Sequence, residues 1–328
     1  MGKVGLKKVE KAALYMLAPN KEFLMECFVV KTASGKLIVI DGGLSGIGTK
    51  ESPPYLPVAL RAIAGLGEND YFEVDAWILS HAHGDHFYEL AKMLNVYTQD
   101  LNYRVKNIYF DFPIVAKSYE TEGIDKLIAG LENYANVNGI CQSGDCYYDK
   151  INGLAVNANS VAKGLEITID GVRIEFLQTY DLRDGENAND HSLVFRVWID
   201  GRSILFLNDL GVNGGRRLLK TYGKKLKSDV CQMAHHGQDG AEKEVYQAID
   251  AQMRLWTTPI WVWNNTKDYA IGDVRSWVNG GVDFTQERAC DAVACLYPQY
   301  PENDYTDFAE WKRVIDCMQI HLPSALKE

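Results

Sequence analysis

The chain has 328 residues, of which 47% are hydrophobic and 24% charged, and it contains 18 Tyr and 7 Trp. These values are typical of globular proteins and exclude a disordered or fibrous chain. Lys and Arg number 34 against 44 Asp and Glu, and the net charge of −10 argues against stable nucleic-acid binding because it repels phosphate polyanions. We expect one α/β domain with additions.

The composition also predicts a cytoplasmic protein without a membrane segment. No apolar run approaches the roughly 18 residues that a membrane-spanning helix needs, and no secretory signal follows Met1. The seven Cys are an odd number in a chain long enough to build a core without disulfides, so we expect reduced thiols. The oligomeric state stays open.

The first hundred residues alternate between strand and helix patterns. Residues 26–41 predict two strands around a turn at Ser34-Gly35, and apolar spacing over 56–66 predicts a helix. The strand over 72–79 becomes continuously apolar, which is typical of a strand covered on both faces. A helix over 87–94 follows.

The next segment predicts an insertion and then two hairpins. Residues 112–163 are rich in Tyr, Asn and Gly, look like an insertion, and include one helix near 122–134. Asp170-Gly171 and Asp200-Gly201 are each flanked by alternating apolar residues, a pattern typical of two-residue hairpin turns. A short strand over 230–234 follows.

The chain changes character after residue 240. A helix over 241–251 precedes a Trp-rich stretch, and a final amphipathic helix has its apolar stripe on Phe308, Trp311, Ile315 and Met318. We therefore divide the chain into a core over 1–240 and a C-terminal helical, Trp-rich extension over 241–328 that packs on it.

The strongest chemical signal is His81-Ala82-His83-Gly84-Asp85-His86, directly after the buried strand. On an extended backbone His81 and His83 point to the same side and can reach one divalent ion, while the turn at Gly84 directs Asp85 and His86 towards a second. Imidazole and carboxylate ligands suit zinc, with manganese or iron as alternatives. We expect two adjacent metal positions.

Two later strands also end in metal-binding residue types. Asp209 follows the strand over 203–207, and His235-His236-Gly237 follows the strand over 230–234. A carboxylate such as Asp209 can bridge two cations roughly 3.5–4 Å apart.

Taken together, these motifs resemble the metallo-β-lactamase superfamily, and Asp41-Gly42-Gly43 after the second strand also fits it. The resemblance covers about residues 25–240 and implies an αββα four-layer sandwich, with the metal site at one edge between two β-sheets. Asn189-x-x-Ser192 is similar to the hydrolase domain of competence-type DNA-uptake proteins and to phosphorylcholine esterases, which are phosphodiester-type hydrolases.

The resemblance implies two divalent ions held by six ligands, namely His81, His83, Asp85, His86, Asp209 and His235. Asp209 would be the bridge. For the last ligand the chain offers His235 or His236, and we prefer His235 because it directly follows the strand.

One departure from the family pattern concerns residues 189–191. Many members carry a further His there, whereas this chain reads Asn189-Asp190-His191. His191 is either a seventh ligand or, in our preferred interpretation, a residue behind the ligands or against the substrate. We expect Asp41 and Asn189, likewise, to lie behind the metal ligands or against the substrate.

The mechanism implied is metal-assisted hydrolysis. Hydroxide formed between two dications attacks phosphorus or a carbonyl carbon while the metals stabilise the oxyanion. Asp85 could orient the hydroxide or accept its proton, and His236 or His191 could protonate the leaving group.

We predict a phosphodiester or related phosphoester of a small molecule as the substrate. The first alternative is a carbon-ester, lactone or amide hydrolase, which the missing upstream His disfavours; the second is a metal-binding protein without turnover. The Trp-rich stretch either walls a substrate pocket or, as we prefer, packs the extension onto the sandwich, through Trp256, Trp261, Trp263 and Trp277.

Overall fold

Two β-sheets pack face to face in the computed structural model of the protein, which describes residues 11–17, 25–43, 54–96, 102–112, 124–137, 158–181, 186–265, 267–268, 270–278, 294–295 and 307–323. Apolar side chains of both sheets meet between them, including Phe28 and Ile40 from the first and Phe195 and Phe206 from the second. The rings of Phe28 and Phe206 meet edge to face with centroids 5.1 Å apart. This buried layer joins the sheets, because alternate residues of each strand point inward.

The first sheet is formed by β1 (Ala13–Met16), β2 (Cys27–Lys31), β3 (Leu37–Asp41), β4 (Phe72–Ile78), β5 (Tyr103–Val105), β6 (Ile108–Phe110), β7 (Ala158–Ser160) and β15 (Gln319–Ile320). Its order is β15-β1-β2-β3-β4-β6-β7, with β5 also paired to β4. The predicted hairpin of β2 and β3 is present, and β3 runs parallel to β4.

The second sheet is formed by β8 (Glu166–Ile169), β9 (Val172–Gln178), β10 (Val194–Ile199), β11 (Arg202–Phe206), β12 (Val230–Gln232), β13 (Met253–Trp256) and β14 (Ala294–Cys295), in the order β14-β13-β12-β11-β10-β9-β8. Both predicted hairpins are confirmed. Asp170-Gly171 and Asp200-Gly201 have positive φ at both residues, which is the conformation that two-residue hairpin turns require.

Helices cover the outer face of each sheet, with bounds α1 (Leu56–Ala64), α2 (Gly84–Asn95), α3 (Ile124–Val137), α4 (Val212–Tyr222), α5 (Lys243–Ile249), α6 (Ile260–Asn264), α7 (Ile271–Val278) and α8 (Phe308–Val314). Apolar residues of α1, α2, α3 and α8 pack on the first sheet, and those of α4 to α7 pack on the second. The layers are therefore helix, sheet, sheet, helix, as predicted.

The segments predicted as additions contribute to both sheets. Within 112–163, α3 packs against α2 and β7 pairs with β6, while residues 113–123 and 138–157 lie outside the described part. Beyond residue 240, β13 and β14 extend the second sheet and β15 extends the first. The division at residue 240 stays a prediction, but the chain on both sides of it builds the same two sheets.

The Trp-rich stretch packs mainly as core. Trp256 and Trp263 are buried with ring centroids 5.2 Å apart, and Trp277 packs against the same apolar cluster. Trp261 is the exposed member, at 37%. No helix in the described ranges is both long enough and apolar enough to span a membrane.

Candidate metal centre

Four strand ends supply the candidate metal centre. β3 ends at Asp41, β4 leads to His81 and His83, β11 leads to Asp209, and β12 leads to a 3₁₀ turn over Ala234–Gly237. β3 and β4 are parallel in one sheet, and β11 and β12 are parallel in the other. Ligands commonly bind at the carboxyl ends of such strands, and here those ends meet at one edge of the sandwich.

The first ligand group consists of His81, His83 and Asp209, whose potential ligand atoms lie within 4.8 Å of one another. His81 Nε2 is 3.0 Å from His83 Nδ1 and 3.8 Å from Asp209 Oδ2. The structure therefore brings together the two imidazoles that the sequence assigned to one ion.

The second ligand group consists of Asp85, His86, Asp209 and His236, again within 4.8 Å. Asp85 and His86 belong to the first turn of α2, which begins at Gly84, earlier than the apolar spacing predicts. His86 Nε2 lies 3.3 Å from Asp209 Oδ1, and His236 Nε2 lies 3.1 Å from Asp85 Oδ2 and 3.6 Å from Asp209 Oδ2. Asp209 is thus shared by the two groups.

The geometry selects His236 and not His235, our preferred residue, for the second group. The His236 side chain is fully buried, whereas 26% of that of His235 is exposed. His236 Nδ1 donates to the Thr257 carbonyl oxygen at 3.1 Å, which directs Nε2 towards the carboxylates. His235 Nε2 lies 4.0 Å from Asp209 Oδ2, and the choice of His235 as a ligand stays a prediction. The turn, and not a continued strand, sets the direction of each ring.

His235 is instead paired with Asp239, with 3.5 Å between Nδ1 and Oδ1. Burial opposes protonation of His235, but the hydrogen bond to Asp239 and the charge of Asp209 outweigh it and raise its pKa to about 9. In the metal-free chain the His235 ring therefore favours its protonated form.

Asp41 contacts His86 at the ring nitrogen that faces away from Asp209. Asp41 Oδ2 lies 2.7 Å from His86 Nδ1 and accepts a hydrogen bond from Ser80 Oγ, while Oδ1 accepts one from the Ser80 backbone N–H. A carboxylate bonded to the far nitrogen fixes the orientation of an imidazole ligand.

The electrostatics of the cluster suit a divalent cation. Burial and the nearby His86 lower the pKa of His81 well below its ordinary value, so the ring is neutral. Burial opposes ionisation of Asp85 and Asp209, but the histidines outweigh it and lower the pKa of both carboxyls. The same carboxylates, together with Asp41, raise the pKa of His86 well above its ordinary value despite its burial.

Two buried polar atoms indicate whether the site suits a metal ion. His86 Nε2 and Asp209 Oδ1 are buried and face each other at 3.3 Å, but neither has a well-aligned hydrogen-bond partner. Buried polar atoms without a partner are rare in folded proteins. Both belong to ligand groups of imidazole and carboxylate, so the residues present fit bound divalent ions.

Four residues of these loops have left-handed backbone. Asp41, Asn208, His235 and His236 have φ of 55°, 50°, 50° and 55°. Such a conformation costs roughly 1–2 kcal/mol for each residue with a side chain. Strain of this kind clusters at functional sites, and here it lies at the ends of the ligand-bearing strands.

Asn189 and His191 lie in a 3₁₀ turn beside the site but in neither ligand group. The backbone N–H of Gly211 donates to the Asn189 carbonyl at 3.1 Å, which ties this turn to the Asp209 loop. His191 is buried 4.9 Å from the Tyr180 ring, and neither of its nitrogens has a hydrogen-bond partner. Burial lowers the pKa of His191.

Sequence reasoning missed Glu26. Its carboxyl is fully buried, and a potential ligand atom lies within 4.8 Å of those of Asp41 and His86. Burial raises the pKa of Glu26 well above its ordinary value. The available signal was a charged residue directly before the apolar run Cys27–Val30, because a charge at the start of a buried strand needs partners.

Comparison with known proteins gives one family and several distant relatives. ComA, a competence protein of Neisseria gonorrhoeae, is 35% identical over 77 residues, which are 24% of this chain and 11% of ComA. The chain thus aligns with about a tenth of that protein. The metallo-beta-lactamase fold protein YhfI from Bacillus subtilis is similar in structure, with a TM-score of 0.43 and 11% identity over 76% of this chain and 87% of YhfI.

A second similar structure is CmlA, a diiron beta-hydroxylase from Streptomyces venezuelae. It has a TM-score of 0.41 and 12% identity over 86% of this chain and 49% of CmlA. The family model of the metallo-beta-lactamase superfamily matches residues 26–255, which include every residue of both ligand groups. The chain therefore belongs to the metallo-beta-lactamase superfamily.

Proposed function

We propose that the protein is a dinuclear metal-dependent hydrolase that cleaves a phosphodiester or related phosphoester of a small molecule. The observation that carries this proposal is the position of Asp209, which is buried and shared by two ligand groups. A carboxylate placed between two such groups is the arrangement by which two-metal hydrolases hold their ions together.

Each ion would be held by one of the two groups, the first by His81, His83 and Asp209 and the second by Asp85, His86, Asp209 and His236. When bound, the ions supply Lewis acidity and lower the pKa of water towards neutrality. We propose zinc, although the donors also suit manganese and iron.

The protein residues then have separate tasks. Asp85 orients the attacking water and takes its proton while the water oxygen bonds to phosphorus. His191 gives a proton to the leaving oxygen as the bond between that oxygen and phosphorus breaks. His236 acts as a ligand in this scheme, because Nδ1 is bonded to Thr257 and Nε2 faces Asp85.

Two observations support a small phosphoester. Asn189 Oδ1 and Ser192 Oγ are buried without hydrogen-bond partners beside the Asp209 loop, which suits a polar substrate. The acidic chain disfavours a long polyanion.

The test compares the wild type with Asp209→Asn, which keeps the side-chain size but removes the charge. Metal content is measured by mass spectrometry, and activity is measured on bis(p-nitrophenyl) phosphate and on p-nitrophenyl acetate. Asp316→Asn, at an exposed Asp in a C-terminal 3₁₀ turn, is the matched control.

The wild type and the control should each bind about two ions per chain and cleave the diester. Asp209→Asn should neither bind two ions nor cleave the diester. Turnover of the carbon ester alone would replace the phosphoester with the carbonyl alternative. Metal without turnover of either compound would favour a metal-binding protein. A wild type that takes up no metal under replete conditions would refute the site assignment.

A further inference from the structure

The buried carboxyl of Glu26 lies behind the metal centre and contacts several of its loops. Glu26 directly precedes β2, and its backbone N–H donates to the carbonyl oxygen of Asp85 at 3.2 Å. Asp85 begins the ligand-bearing turn of α2. The first link therefore joins the start of β2 to the loop that carries Asp85 and His86, and because backbone atoms make it, it does not depend on the Glu26 side chain.

The Glu26 side chain makes a second link, through Gln232 to the Asp209 loop. Glu26 Oε2 accepts a hydrogen bond from Gln232 Nε2 at 2.8 Å. The other end of Gln232, Oε1, accepts the backbone N–H groups of Leu207 at 2.9 Å and Asn208 at 2.6 Å. These residues immediately precede Asp209, so the Glu26–Gln232 pair fixes where the shared carboxylate emerges from β11.

A third link runs through Thr257 to the His236 loop. Thr257 Oγ1 donates to the same Glu26 oxygen at 3.1 Å, and the Thr257 carbonyl accepts the Nδ1–H of His236 at 3.1 Å. Glu26, Gln232 and Thr257 are all fully buried. In a buried environment these bonds are not exchanged with water, so a lost partner leaves the others unsatisfied.

We infer that Glu26 is a positioning residue whose side chain sets the relative places of Asp209 and His236 and thereby the metal affinity of the second ligand group. This inference rests on the proposed metal site. Two of the four residues in the second group are held through partners of the Glu26 carboxyl, Asp209 through Gln232 and His236 through Thr257, whereas in the first group only Asp209 is. Loss of Glu26 should therefore weaken the second ion more than the first.

The experiment titrates the purified full-length chain with cobalt(II) and follows the visible absorption of the two binding steps. His83→Ala removes a ligand of the first group alone and so identifies which step belongs to that group. Glu26→Ala should raise the dissociation constant of the second-group step by about 10- to 100-fold, the usual effect of removing a residue that supports metal ligands, and should change the first-group step less.

Glu26→Gln is the conservative rescue. Its amide oxygen can accept the same bonds from Gln232 and Thr257, so both steps should stay close to wild type. Glu89→Ala is the matched control, because Glu89 is another buried Glu but binds backbone N–H groups at the start of α1. It should lower the melting temperature without separating the two cobalt steps.

If Glu26→Ala has a lower melting temperature but binds both ions like the wild type, the role of Glu26 is merely structural and the inference is overturned. Equal weakening of both cobalt-binding steps would also overturn it. If Glu26→Ala does not fold, Thr257→Val removes only the hydroxyl link and should weaken the second-group step in the same direction; unchanged binding there would also overturn it. If the wild type binds no cobalt, the proposed function itself is refuted. That result differs from the failure of the Glu26 inference, in which the wild type binds cobalt and the variants do not behave as expected.

Discussion

Glu89 makes stability depend on pH in a way that can be calculated from its surroundings. Its carboxyl, on α2, is buried and accepts the backbone N–H groups of Tyr55 at 2.6 Å and Leu56 at 3.3 Å through Oε1, while Oε2 has no hydrogen-bond partner. Burial raises the pKa of Glu89 from 4.5 to about 7, against the opposing effects of Lys92 and the backbone bonds.

The direction in which the free energy of unfolding changes with pH depends on whether the folded or the unfolded chain holds the proton. Between pH 4.5 and about 7 the folded chain keeps a proton on Glu89 that the unfolded chain has released, so the free energy of unfolding falls as pH rises through this window. At about 1.4 kcal/mol per pH unit, the full loss is about 3 kcal/mol. About 2 kcal/mol of it should appear between about pH 5.5 and about pH 8.

Glu89→Gln removes the titration while keeping an acceptor for the two N–H groups. Its free energy of unfolding, measured in urea by tryptophan fluorescence with the same metal supply, should therefore gain on the wild type by about 2 kcal/mol over that range. Any change in the free energy of unfolding caused by the amide itself is the same at every pH. The informative quantity is therefore how the difference in free energy of unfolding between Glu89→Gln and the wild type changes with pH.

Glu68→Gln, at an exposed Glu, is the control and should differ from the wild type by a constant amount. A Glu89→Gln difference that is equally flat, or that falls as pH rises, would refute the assigned pKa and the burial argument behind it.

Four further substitutions test the site and the structure around it. His236→Ala should lose about one of two metal ions and at least about 100-fold in activity, whereas His235→Ala should keep both ions; metal analysis of the pair decides between them. Gly237→Ala should displace the His236 loop and lower metal occupancy in the same analysis, because φ is 81° there and a Cβ would lie 2.7 Å from the Trp256 ring. Asp190→Ala should lower the free energy of unfolding by about 1–2 kcal/mol in urea titrations, because its carboxylate caps two N–H groups in the first turn of α4.

The sequence predicted those parts of the molecule whose signals are local. Asp170-Gly171 and Asp200-Gly201 determine their own turns, because both residues must adopt positive φ and these residue types do so readily. The motif over residues 81–86 likewise contains four of the ligand-group residues within one strand end and one helical turn. Neither inference needed distant contacts.

The choice between His235 and His236 could not be made in the same way. Both follow β12 and both have left-handed backbone, so alternation along an extended strand does not apply to them. The carbonyl of Thr257, 21 residues further along the chain, orients His236. Glu26 was missed for a related reason, since Gln232 and Thr257 lie 206 and 231 residues away from it.

The same long-range arrangement makes metal binding and the sandwich interdependent. The first ligand group joins His81 and His83, which follow a strand of the first sheet, to Asp209, which follows a strand of the second. An ion bound there would connect the two sheets at their shared edge, as would one bound by the second group. Because such a site exists only when the sheets are packed, each ion bound as proposed would stabilise the folded chain, by about 2.7 kcal/mol at a free concentration about 100 times the dissociation constant. The charge of Asp209 opposes ionisation of Asp85 in the metal-free chain, and a cation bound between these two carboxylates would offset that repulsion.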